Sequence, residues 1–420
     1  MTRFGTARSH SAILVALLLG GADLLAAEGP PAKPPAVRRL PVLAWLGPPA
    51  EQSNVERMRE LAEAGFTESF SQYPTVDSAR AALDAAQTAG VKLWLALPSL
   101  RHDPEATARQ LQNHPALAGY FLADEPNADQ FEMLSAWAAR LRAVDAVHPS
   151  YVNLFPNYAS PEQTRAKDYR DYVERFVRDV PALPISFDYY PIVGDRLRDG
   201  WYENLQLIAD VAHAARRPFW AFALSVAHDP YPVPTAAQLR LQVYSNLAYG
   251  AQTIQYFTYW TPPENPTWNF HSAPIDRQGN RTLVYDRVKE VNAELKNLSE
   301  VFRGSSVEGV GHTGRELPPG TTRYRPTWPV DELAAESGAV VSHLAAGDRR
   351  YLMVVNRDFR QSMDLVVKFD PTVAVSLVTK EGQLHPIEAK PFQATLTAGD
   401  AAIFAWDLAG KAANPTGGTP

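Results

Sequence analysis

Two adjacent carboxylates, Asp124 and Glu125, close the apolar run Gly119-Tyr120-Phe121-Leu122-Ala123, and Pro126 follows them. A third, Asp188, ends the run Ile185-Ser186-Phe187 and stands just before Tyr189-Tyr190-Pro191. Charged groups beside buried apolar residues are costly and call for a reason. Carboxyl groups in such surroundings divide into two kinds. One stays protonated and gives a proton; the other stays ionised and attacks carbon or activates water. Cleavage of a glycosidic bond needs that pair of roles. The competing explanation is helix capping, with Asp124 or Glu125 at the start of a helix beginning near Asn127, where anions are favoured. For Asp188 the competing role is to accept a sugar hydroxyl or to orient a neighbour.

The elements around these residues alternate. Short apolar runs read as strands at 41–46, 66–73, 91–97, 119–124, 150–155, 185–190, 219–224 and 253–260. Helical spacing fills the intervals at 54–64, 78–89, 104–113, 128–146, 160–178, 200–215, 235–249 and 284–302, with Gly65 and Gly90 as stops for the first two. Eight strands and eight helices in strict alternation predict a (β/α)₈ TIM barrel. A doubly wound open sheet would place a glycine-rich phosphate turn after its first strand. Here that turn is Gly47-Pro48-Pro49, which its two prolines make unsuitable. Barrel active sites lie where the strands end, and Asp124, Glu125 and Asp188 all fall there.

With these residues in place, the chain resembles the superfamily of barrel glycosidases whose acid/base glutamate ends strand four. The usual Asn-Glu-Pro there is matched by Asp124-Glu125-Pro126, with Asp in place of Asn. Trp260, near the end of strand eight, matches the aromatic those enzymes place on the barrel floor. The resemblance spans the mature chain and implies a glycoside hydrolase with Glu125 as acid/base. It departs at strand seven, where the family's nucleophilic glutamate is missing from Pro218-Phe219-Trp220-Ala221-Phe222-Ala223-Leu224-Ser225, and the first acidic residue beyond is Asp229. Some α-glycosidase barrels carry their carboxylates on strands four and six. That likeness pairs Glu125 or Asp124 with Asp188. A non-catalytic carbohydrate-binding protein on a degenerate glycosidase barrel is the alternative.

Aromatic and amide side chains gather at the same strand ends. Trp45, Tyr73, Tyr189, Tyr190, Tyr259 and Trp260 are candidate sugar platforms, and Asn153 and Asn157 candidate hydroxyl ligands. Each taken alone is more often a core or loop residue than a ligand contact; their coincidence at strand ends is the informative part. Two long loops, 226–232 and 261–282, suit a cleft, and the second carries His271 as a further candidate for substrate binding. No stretch has metal-ligand spacing, there is no cysteine, and no cofactor is expected.

After Gly304 the pattern changes to short alternating runs separated by turn clusters such as Ala346-Gly347-Asp348. This predicts a small antiparallel β-sandwich over 305–409 behind a barrel over 39–304, with a disordered tail at 410–420. At the other end, Arg3 and Arg8, the apolar run Ala12–Leu19 and Leu25-Ala26-Ala27 read as a signal peptide over 1–27, followed by a proline-rich linker at 28–38. The expected location is secreted or periplasmic, with no integral membrane span after cleavage. A formal net charge of −6 without a basic stripe speaks against a nucleic-acid partner. The expected partner is a carbohydrate.

Overall fold

The computed structural model describes residues 39–180, 183–387 and 391–408. The expected signal peptide, linker and tail lie outside the described residues. Eight parallel strands close into a barrel: β1 (Val42–Trp45), β2 (Glu68–Gln72), β3 (Lys92–Ala96), β4 (Leu117–Asp124), β5 (Ser150–Leu154), β6 (Ile185–Phe187), β7 (Phe219–Leu224) and β8 (Thr253–Phe257). Each pairs with the next and β8 returns to β1, so the barrel has no free edge.

Local chemistry explains the helices between them. Thr75 and Ser78 form a reciprocal capping box at the start of helix Val76–Ala89, and Gly90 ends it in the left-handed region at φ 73°. Thr235 and Gln238 do the same for helix Ala236–Ala248. Three elements depart from expectation. The helix expected over 160–178 is two pieces, Pro161–Thr164 and Tyr169–Asp179, because the chain turns at Arg165 with φ 53°. Strands six and eight stop short of 190 and 260: Pro191 has no N–H to offer a ladder, and Thr258 turns its hydroxyl onto the Trp260 carbonyl.

The barrel interior is a packed aromatic plug. Trp45 contacts Phe70, Phe121, Phe222 and Phe257, and its Nε1–H donates to the Tyr151 hydroxyl at 2.7 Å. Such a plug leaves room for a ligand only above it, at the strand ends.

Behind the barrel lie a six-stranded and a three-stranded antiparallel sheet that enclose a core of their own. Gly347 and Asp348 make the two-residue turn between strands Ala339–Ala346 and Arg349–Asn356. The other face of the larger sheet is continuous with the barrel's helical core, through Val340, Leu344, Tyr351 and Met353. The Tyr249 hydroxyl also meets His312 Nε2 across the junction at 2.8 Å. No helix among the described residues is long and apolar enough to cross a membrane.

Candidate active site

The strand that carries the carboxylates is irregular. Along β4, Tyr120 lies opposite Ser150 and Phe121 opposite Tyr151, but then Ala123 meets Val152 and Asp124 meets Asn153. The pairing has one extra residue on β4. Side chains alternate along a strand, so an added residue reverses which ones face inward beyond it. Phe121 points into the barrel plug, and the shift lets Asp124 reach Asn153 at the mouth. The backbone then turns sharply. Glu125 takes φ 45°, a conformation that side-chain-bearing residues adopt at a cost, while its N–H still donates to the Asn153 carbonyl at 2.8 Å.

Asn153 is the hub of the mouth and is 2% exposed. Its Nδ2 donates to Oδ1 of Asp124 and to Oδ1 of Asp188, each at 3.0 Å. Its own Oδ1 accepts from the Ser186 hydroxyl at 3.0 Å, and Ser186 accepts from Gln255 Nε2 at 2.8 Å. A buried polar chain from β8 through β6 to β5 thus fixes the amide's orientation and presents both of its hydrogens to carboxylates. Two oxygens held 3.0 Å from one nitrogen lie within about 6 Å of each other.

Among the described residues no cationic side chain pairs with this acidic group. Burial pushes Glu125 up to about 8, and the charges of Asp188 and Asp124 add to the effect. Burial and then Asp124 push Asp188 up to about 7, against the opposing pull of Asn153 and Tyr190. Asp124 is raised by its surroundings as well, with Asn153 partly offsetting the shift. The carboxyls titrate as a set. Glu125 differs from the two aspartates in receiving no hydrogen bond on its carboxyl from the described residues, which leaves that group free to face a ligand.

Capping does not explain these residues. The turn Ala128–Gln130 is capped by Asn127, whose Oδ1 accepts from Asp129 N at 3.1 Å while its N–H donates to the Gln130 side chain.

The sequence candidates separate into those near the carboxylates and those turned elsewhere. Tyr190 stacks on Phe257 with centroids 5.4 Å apart beside Asp188. Tyr73 lines a cleft of about 660 Å³ that adjoins Asp124 and also takes in Arg101, Gln130 and Trp137. Trp45 forms part of the plug beneath. Tyr259 and Trp260 pack outside the barrel, Tyr259 against Phe66 at 5.3 Å and Trp260 under the Arg57 guanidinium at 5.4 Å. The Asn157 amide is spent on the Gly200 carbonyl at 3.1 Å. Tyr189 is buried beside Tyr158. His271 is exposed, bonds to Ser272 at 3.0 Å, and pairs through its backbone with Ala227.

Sequence reasoning passed over several residues. Tyr158 is 46% exposed and feels the charges of both Asp188 and Glu125. Arg198 lies 4.5 Å over the Tyr158 ring and donates to the Tyr231 hydroxyl at 2.9 Å. Ser186 and Gln255 were readable only as polar breaks in apolar strands. At β7 the chain continues into Ser225, fully buried and bonded to the Thr258 carbonyl at 2.8 Å. Asp229 is tied to Asn269.

Comparison with known proteins agrees with this build. A family model described as glycosyl hydrolase family 42, β-galactosidase, matches residues 167–298, a segment that contains Asp188 but not Glu125. No curated protein sequence matches. Among solved structures, the β-galactosidase from Bacillus circulans sp. alkalophilus is similar with a TM-score of 0.61 at 11% identity, over 88% of this chain and 99% of that one. A catalytic mutant of a family 42 β-galactosidase from G. stearothermophilus gives 0.57 at 9% identity, over 88% and 98%. The chain spans 60% of the β-galactosidase from the psychrophilic Marinomonas ef1, which covers 62% of this chain at 11% identity and a TM-score of 0.47. The described chain is therefore a (β/α)₈ barrel followed by an antiparallel β-sandwich, a fold it shares with these β-galactosidases.

Proposed function

We propose that this chain is a glycoside hydrolase that cleaves a glycosidic bond in an oligo- or polysaccharide. Glu125 is its general acid/base and Asp188 its second carboxylate. The observation that carries the reading is the asymmetry of the mouth: Asp124 and Asp188 share one buried amide, while the Glu125 carboxyl accepts no hydrogen bond from the described residues and is pushed up to about 8. Glu125 gives that proton to the leaving oxygen. Asp188, whose carboxylate accepts from the Asn153 amide, attacks the anomeric carbon or activates the water that does. Asp124 keeps Asn153 in place and holds up the affinity of both neighbours for protons. Given the family model matched, β-galactosides head the substrate panel. Release of nitrophenol from a panel of nitrophenyl glycosides, β-galactoside included, is the test. No turnover of any member by the wild type, with sugars still bound, would favour the second reading.

That second reading is a carbohydrate-binding protein without turnover. The observation favouring it is strand Phe219–Leu224, which ends at the buried Ser225 without the carboxylate that the resemblance to barrel glycosidases leads one to expect there.

We further propose export to the periplasm or the medium, motivated by Ala12–Leu19 and the small residues at Leu25-Ala26-Ala27. A mature N-terminus at or near Glu28, found by N-terminal sequencing of the protein recovered outside the cytoplasm, is the expected result.

A further inference from the structure

A groove of about 410 Å³ lies on the sandwich, away from the barrel mouth. Its rim carries Trp328, 58% exposed, a large apolar surface to leave in water. The Tyr324 and His343 rings lie nearly parallel, at 15° and 5.9 Å, with the Tyr324 hydroxyl 3.1 Å from His343 Nε2. Trp406 lies edge-on to His343 at 6.3 Å and is almost wholly buried, and its Nε1–H has no acceptor among the described residues. Buried donors are normally satisfied.

The charges here have one sign in excess. Arg323, Arg325 and Arg350 line the groove against a single carboxylate, Glu308. Arg350 pairs with Glu308 at 2.9 Å, and Arg323 donates to the Gly314 and Arg315 carbonyls. Arg325 is exposed and has no hydrogen-bond or ionic partner among the described residues. An excess of cations stands out on a chain of net charge −6. Aromatic faces receive the C–H side of a pyranose ring, and a free guanidinium suits a carboxylate or sulfate.

We propose that this groove is a second saccharide-binding site, specific for anionic sugars, with Trp328 as platform and Arg325 as charge reader. It is independent of whether the barrel hydrolyses anything. The test is calorimetric titration of the full chain with trigalacturonate, with a sulfated galactotriose in parallel and neutral galactotriose as control. Binding of either acidic ligand is expected, weakened at least tenfold by Trp328→Ala and several-fold by Arg325→Ala, with a shallower salt dependence in the latter. Binding of trigalacturonate alone or of the sulfated sugar alone identifies which acidic group is read and supports the site. Both side chains are exposed, so unchanged melting temperatures and unchanged barrel activity are expected. Failure of both acidic ligands to bind, equal affinity for the neutral sugar, or binding indifferent to both substitutions would overturn the proposal.

Discussion

The molecule gathers two acidic clusters, one at the partly open barrel mouth and one within the fold, and treats them in opposite ways. At the barrel mouth, Asp124, Glu125 and Asp188 have an amide between them, and burial raises their affinity for protons. At the junction with the sandwich, Glu294 is buried more fully but sits among donors. Arg240 Nη2 reaches it at 2.5 Å, the Tyr244 hydroxyl at 2.5 Å, and Lys380 Nζ at 3.4 Å. Burial alone would raise Glu294, but the cations and the tyrosine outweigh it and hold its carboxyl below the usual range. Lys380 in turn bonds Asp400 at 2.5 Å, so the cluster joins two barrel helices to two sandwich loops. A buried carboxylate that stabilises a fold is given cations. The carboxyls at the mouth have like charges beside them instead.

The sharpest way to break this contrast is to neutralise one member of each cluster. Glu125→Gln should lower kcat/KM by about 10²- to 10⁴-fold, the range for loss of a positioned acid. It should leave the fold intact, because the carboxyl has no hydrogen-bond partner among the described residues. An unchanged rate on a cognate glycoside, measured beside circular dichroism, removes Glu125 from the mechanism. Glu294→Gln should do the reverse. It takes one carboxylate from Arg240 and Lys380, which keep Glu290 and Asp400, and should cost about 1–3 kcal/mol of stability, the range for losing a hydrogen bond to a charged group. Urea unfolding would read this as a lower midpoint, with kcat/KM held within about twofold at a temperature where the fold persists. A large loss of activity in a folded Glu294→Gln protein would mean that the two clusters are not separate in function.

The pH response sharpens the comparison because its sign differs between the clusters. Glu125 has a folded pKa near 8 against an ordinary 4.5. Its contribution to stability is complete below 4.5 and is lost as pH rises through 8. Glu294 is lowered from 4.5, so its contribution is present above that value and disappears as pH falls through the folded pKa. Thermal unfolding should therefore show Glu125→Gln more stable than wild type at about pH 9 and little changed at about pH 4. Glu294→Gln should lose least relative to wild type in acid. Activity should be bell-shaped, limited on the acid side by a carboxylate that must be ionised and on the alkaline side by one that must keep its proton. An alkaline limb that persists in Glu125→Gln would assign that limb to another group.

How much of this was legible before the structure depended on whether the signal was local. The eight strands announced themselves through short apolar runs, and Asp124 and Asp188 through charge at the ends of those runs. The extra residue on β4 was invisible. It is a property of pairing between two strands, and it decides that Asp124 and not Ala123 faces Asn153. Trp260 is the converse case. Proximity to a strand end suggested the barrel floor, but β8 stops at Phe257 and the chain carries Trp260 out to Arg57. Aromatic residues cannot be sorted by sequence into plug, outer core and mouth, since all three want the same side chains. The sandwich strands Ser306–His312, Val330–Ala334, Leu384–Pro386 and Phe392–Leu396 escaped notice because they are edge or short strands, with exposed faces that interrupt an apolar pattern.

The smallest effect belongs to a residue that lies beside one cluster without joining it. Tyr158 presents an exposed face next to Asp188 and Glu125, and Arg198 covers its ring at 4.5 Å. If the ring is a wall of the sugar site, Tyr158→Ala removes contact area that is equal in ground and transition states, so KM should rise by about three- to tenfold, corresponding to an aromatic contact of about 0.5–1.5 kcal/mol. Such uniform loss of binding leaves kcat nearly unchanged. Tyr158→Phe should behave as wild type, because Arg198 and a sugar both use the ring face. A fall in kcat with KM constant would mean instead that Tyr158 acts on the carboxyls, by desolvating them, and the alkaline limb of the pH profile would then shift with it.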